Sequence, residues 1–96
     1  MLAIRGSYHG KSHSAVAVTG IRSWSATTLS PFNVHYVHGG YMYRSPFGHL
    51  PEDEFIAACV DDLRDLLDIA TAGDVAAMIA EPIQGVGGFA TPPDGF

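Results

Sequence analysis

The chain has 96 residues, enough for one small domain or for part of a larger one, and its 47% hydrophobic and 16% charged residues make a globular mixture, which excludes a disordered chain. Five basic against ten acidic residues give a formal charge of -5 with no run of Lys or Arg, which excludes an electrostatic nucleic-acid surface. No apolar stretch is long enough to span a bilayer, the first residues lack the pattern of a signal peptide, and the one cysteine, Cys59, has no partner for an internal disulfide, so a cytoplasmic setting is expected.

Residues 2–5 are a short apolar run stopped by Gly6, which predicts a strand. It begins almost at the first residue, as expected of a piece of a longer chain. Residues 12–19 are rich in Ala, Ser and Val and predict a short helix, with Ser12 as its N-cap and Gly20 as its stop. Val16 and Val18 would also suit a strand. Residues 21–32 contain Ser, Thr and Pro and read as loop. Residues 34–37 alternate valine with His35 and Tyr36, a second short strand ended by Gly39 and Gly40. Pro46, Gly48 and Pro51 break the stretch that follows.

Residues 52–70 carry the strongest pattern. Phe55, Ile56, Cys59, Val60, Leu63, Leu66, Leu67 and Ala70 recur at three- and four-residue spacing, and Asp53, Asp61, Asp62, Arg64, Asp65 and Asp68 fall largely between them. That predicts an amphipathic helix of about five turns. Pro51 and the acids Glu52, Asp53 and Glu54 suit its N-terminal end, where a missing N–H and negative charge are favoured, and Gly73 suits its stop. Residues 75–80 form a continuous apolar run, as expected of a strand buried on both faces and ended by Glu81-Pro82. Residues 83–96 are a Gly- and Pro-rich loop. Strand, helix, strand, helix, strand predicts an α/β fold: a partial parallel sheet of about three strands with crossover helices.

Ligands of open α/β sheets bind beyond the carboxyl ends of the strands. Tyr8-His9-Gly10 follows the first strand, and Glu81, with Gln84 and Gly85 just beyond, follows the third. An aromatic ring, an imidazole and a carboxylate are thereby placed on one rim as a candidate binding site. The plainer reading makes Tyr8 and His9 turn residues and Glu81 a solvated carboxylate. A metal site is not expected: His35 and His38 would point to opposite faces of a strand, HExxH is absent, and Cys59 lies on the apolar helix face. The Gly85-Val86-Gly87-Gly88 stretch is followed by Pro92 and Pro93 before any helix, so it reads as a loop held close to other backbone rather than as a phosphate cradle. Lys11 reads as a solvated surface lysine, and Trp24 has no assigned role.

Arg5-Gly6-Ser7-Tyr8-His9-Gly10-Lys11, followed far downstream by Ala80-Glu81-Pro82-Ile83-Gln84-Gly85-Val86-Gly87-Gly88 and then Pro92-Pro93-Asp94-Gly95-Phe96, resembles the class III pyridoxal-phosphate-dependent aminotransferases, and among them the alanine–glyoxylate-like members. The resemblance covers nearly the whole chain. It implies a fold type I architecture in which residues 1–96 are part of the large cofactor-binding domain, with no second domain and with the first strand in the middle of the three. It implies that Tyr8 stacks on the pyridine ring of pyridoxal 5'-phosphate, that His9 lines the same wall, and that Glu81 lies near the pyridine-nitrogen side and helps hold the aspartate that pairs with it. Some members have a second glutamate after the Glu-Pro-Ile-Gln-Gly run that helps gate substrate carboxylates; Val86 stands there in this chain. The family's phosphate loop lies upstream of Met1, and its Schiff-base lysine and aspartate lie downstream of Phe96. No catalytic residue is therefore expected in this piece, which should not transaminate alone. The parent would move an amino group from an amino donor to an oxo acid and would be a homodimer. The rival expectation is a small non-catalytic α/β binding or interaction domain.

Overall fold

The computed structural model describes residues 1–25 and 30–96. The loop expected over residues 21–32 thus lies partly outside the described residues. Strands β1 (Leu2–Ile4), β2 (His35–Val37) and β3 (Met78–Ile79) pair in parallel in the order β2-β1-β3, so the first strand is the central one. Leu2 faces His35 on one side and Met78 on the other. Every residue of β1 is buried, as a central strand with a neighbour on each side requires.

Helix α1 (His13–Val18) follows β1. The Ser12 hydroxyl accepts from the Ala15 N–H at 3.4 Å, as an N-cap does. The helix ends on Thr19, one residue before the expected Gly20 stop. Gly20 has a different task. A β-carbon there would lie 2.5 Å from the Ile4 carbonyl oxygen, and the bare backbone instead bonds to the turn past β1: Gly20 N–H to Ser7 O at 2.9 Å and Gly6 N–H to Gly20 O at 3.1 Å.

Helix α2 (Glu52–Ala70) has the bounds its apolar period predicts. Pro51 is the residue before its first turn, extended at ψ 155°, and its carbonyl accepts from the Phe55 N–H at 2.7 Å. The acidic first turn complements the helix dipole. At the other end the cap is Thr71, whose hydroxyl donates to Leu67 O at 2.7 Å; Gly73, expected as the stop, comes two residues later with φ +76°. Phe55 and Cys59 are buried, and Leu63, Leu66 and Leu67 pack half-buried on the Leu2, Ile4 and Val37 core. Val60 and Ala70, placed on the apolar stripe by spacing, are exposed. Length explains this. A helix of 19 residues runs about 28 Å at 1.5 Å per residue, whereas strands of two or three residues cover roughly 10 Å, so the sheet meets only part of the stripe.

The third strand needs the larger correction. Residues 75–80 were expected as a strand buried on both faces. The ladder is only Met78–Ile79, extended by the Leu2 N–H bond to Ala77 O at 2.9 Å, and Met78 is 48% exposed. β3 is an edge among the described residues, and only Val75 of that run packs against the core.

Candidate functional site

The site is built where β1 and β3 end side by side. Gly6, at φ +78°, lets the chain turn immediately past β1. Ser7 is fully buried in that turn, and its hydroxyl donates to the Ile4 carbonyl at 2.5 Å. The turn delivers Tyr8 to the rim, half-buried.

Glu81 arrives at the same place from β3. Its Oε1 accepts from the Tyr8 N–H at 2.6 Å and its Oε2 from the Gly85 N–H at 3.0 Å. Both oxygens are engaged and the residue is half-buried, so the solvated-carboxylate reading is set aside. A carboxylate has about four lone-pair positions, so two remain for other donors. Gln84, just beyond, is buried and donates from Nε2 to Arg5 O at 2.8 Å, tying the third strand's exit loop to the first strand's end. The Gln84 and Ala90 backbones pair in an antiparallel bridge, which makes residues 84–90 a tight turn.

Gly87 lies on the turn that follows β1, where a β-carbon would come within 2.4 Å of Gly6 O. The glycine run is therefore a close backbone approach, as its context implied. Gly87→Ala is expected to cost about 1–3 kcal/mol, the usual range for forcing atoms into a packed contact. A urea midpoint equal to wild type would show that the turn yields freely.

His9 donates its backbone N–H to Thr19 Oγ1 at 3.2 Å, and that hydroxyl donates to Ala15 O at 2.9 Å. Its Nε2 is buried without a hydrogen-bond partner among the described residues. Buried polar nitrogens are usually paired, so this one is a candidate contact for a bound group.

Trp24 belongs to the site too. Its ring meets Tyr8 edge-on, centroids 5.4 Å apart and planes at 73°, and the Lys11 ammonium sits 4.6 Å from its centroid and 3.4 Å from its carbonyl oxygen. Lys11 is thus held over an aromatic ring rather than simply solvated. No periodic signal marks an aromatic in a loop, which is why sequence reasoning left Trp24 without a role.

On the β2 side, Arg5 donates from Nε to Tyr36 O at 3.1 Å and lies 2.8 Å from His38 Nε2 through Nη1. Burial, and then the Arg5 charge, pushes the His38 pKa down against an opposing pull from Asp62, so the imidazole is held neutral and accepts from the guanidinium. No group of three metal-ligating side chains occurs among the described residues, and no described helix is long and apolar enough to cross a membrane.

The family model for class-III aminotransferases matches residues 1–96. An alanine–glyoxylate aminotransferase 2 homolog of Arabidopsis thaliana is 34% identical over 89 residues, 93% of this chain and 17% of that protein. The 4-aminobutyrate aminotransferase of Escherichia coli is 36% identical over 90 residues, 92% of this chain and 20% of its own length. Among solved structures, an amine transaminase from an uncultivated Pseudomonas species, in its PLP-bound form, superposes with a TM-score of 0.86 at 29% identity over 96% of this chain and 21% of that one. The chain spans about one fifth of the length of these proteins.

Proposed function

The chain belongs to the class-III aminotransferases, and on that premise we propose that its rim is one wall of a pyridoxal 5'-phosphate site in an enzyme that moves an amino group from an amino donor to an oxo acid. The observation that carries the reading is the 2.6 Å bond from the Tyr8 N–H to Glu81, which joins two strand tips far apart in sequence around one aromatic ring. The residues present suit the group. Tyr8 offers a half-buried ring steadied by Trp24, and the unpartnered His9 Nε2 offers a polar contact beside it. The cofactor, when bound, supplies an electron sink for the substrate carbon that carries the amino group.

This chain's own work is to bind and orient. Tyr8 stacks on the flat ring, where area and quadrupole both favour an offset aromatic pair. His9 shapes the same wall. Glu81 orients Tyr8 by fixing its backbone, and on the pyridine-nitrogen side it would help position the aspartate supplied from outside these residues through a donor that both carboxylates share, since two carboxylates only accept. Residues 1–96 are part of the large domain of a cytoplasmic homodimer. Lys11, the only lysine, points its ammonium at Trp24, which supports the reading that the chain alone is inactive. The whole-length family match disfavours the rival reading of a small non-catalytic binding domain.

Titration with pyridoxal 5'-phosphate tests this, because the single tryptophan, Trp24, reports from the site itself. Saturable quenching is expected, unchanged in midpoint by Lys11→Arg. Tyr8→Ala is expected to weaken the midpoint about tenfold, since stacking contributes roughly 0.5–1.5 kcal/mol beyond area. Tyr8→Phe should keep the wild-type midpoint. Quenching that never saturates, or a midpoint indifferent to Tyr8→Ala, would overturn the proposal.

A further inference from the structure

A second concavity opens where β1 and β2 end, with a volume of about 610 Å³. That is within the size range of small-molecule sites. Neither Tyr8 nor Glu81 lines it. Arg5, His38, Arg44 and Ser45 supply its polar wall, and Ile21 and Val86 contribute apolar surface.

The charge of this cavity runs against the charge of the chain. Ten acidic residues outnumber five basic ones, yet two of the five basic residues line this space and no carboxylate does, among the described residues. Arg5 is held in place. Its Nε is bonded to Tyr36 O and its Nη1 to the neutral His38 ring, so the guanidinium is fixed while its charge is not cancelled. Its second amino group has no protein acceptor among the described residues, and neither does the Arg44 guanidinium; the ion pair found there is Arg64 with Asp61, on the exposed face of α2. Two guanidinium groups lining a cavity that holds no carboxylate recognise oxyanions, because the planar fork matches the geometry of carboxylate and phosphate.

We propose that this cavity is an anion site in which Arg5 and Arg44 bind the carboxylate or phosphate group of a small ligand, separate from the Tyr8–Glu81 corner. The test is a titration of the folded chain with inorganic phosphate and, in parallel, with succinate, at constant ionic strength made up with sodium chloride and followed by amide and arginine side-chain NMR shifts. Saturable shifts are expected at Gly20, Gly39 and Gly87 and at the Arg5 and Arg44 side chains, and the arm with the lower midpoint names the head group. Arg44→Gln should raise the midpoint about tenfold. Val86→Glu, at a side chain 48% exposed and so tolerant of change, sets a carboxylate of the chain's own against the guanidiniums and should abolish saturation. That variant decides the matter if Arg44→Gln fails to fold. Shifts that rise linearly in both arms, midpoints indifferent to Val86→Glu, or equal shifts with neutral succinamide would each overturn the proposal. The outcome is separable from the cofactor titration, because Tyr8 and Trp24 do not line this cavity.

Discussion

Phe55→Ala is expected to remove most or all of the chain's stability. Phe55 is completely buried at the start of α2, and its ring stacks on Phe96 with centroids 6.2 Å apart and planes inclined at 27°, so one side chain joins the helix to the terminal loop. Truncating a buried phenylalanine costs about 3–5 kcal/mol. A small domain has roughly 5–15 kcal/mol in total, and one this short buries too little surface to sit near the top of that range. The variant should therefore unfold at a much lower urea concentration or lose its near-ultraviolet circular dichroism outright. Leu63→Ala should do less, because Leu63 is only half-buried. A Phe55→Ala midpoint within error of wild type would contradict the packing of α2 on the sheet.

Glu81→Ala is expected to loosen the rim with a smaller loss of global stability. It removes the acceptor of two backbone N–H groups, those of Tyr8 and Gly85. Hydrogen bonds to a charged partner contribute about 1.5–3 kcal/mol each before solvent weakens them at a half-exposed site. Amide exchange at Tyr8 and Gly85 should accelerate about tenfold to a hundredfold, while amides in the middle of α2 stay protected. Glu81→Gln should fall between, because one oxygen survives and the new amide group opposes an N–H. The midpoint of the cofactor titration should follow the Tyr8 exchange rate across the three proteins. Unchanged exchange at Tyr8 in Glu81→Ala would end the view of Glu81 as the residue that orients the ring.

Legibility from sequence followed the physics of each element. Helix α2 was readable to the residue, because an apolar stripe with acids between and a proline ahead leaves one period and one start. β1 and β2 were readable to within one residue, from a short apolar run and from valine alternating with His35 and Tyr36, each followed by glycine. The run over residues 75–80 was over-read, since continuous hydrophobicity states that a segment seeks burial and says nothing of what covers it; Met78 is on an edge. At the site, the strand-end rule and the family resemblance put Tyr8 and Glu81 on one rim, and the two residues are hydrogen-bonded. Trp24 against Tyr8, Thr19 under His9, Gln84 on Arg5 and Arg5 on His38 were not legible. Each depends on the path of an irregular loop, where no repeat links residue type to position.

The bond between Tyr8 and Glu81 spans 73 positions of the chain. Bringing together the ends of a segment that long costs about 4 kcal/mol in chain entropy before any contact is made. The rim therefore cannot serve as a starting point for folding; it closes after α2 has collapsed onto β2 and carried β3 back beside β1. A chain emerging from the ribosome would leave Tyr8 without its carboxylate anchor until Glu81, 73 positions later, has been made, so this corner of the binding surface matures after the elements around it.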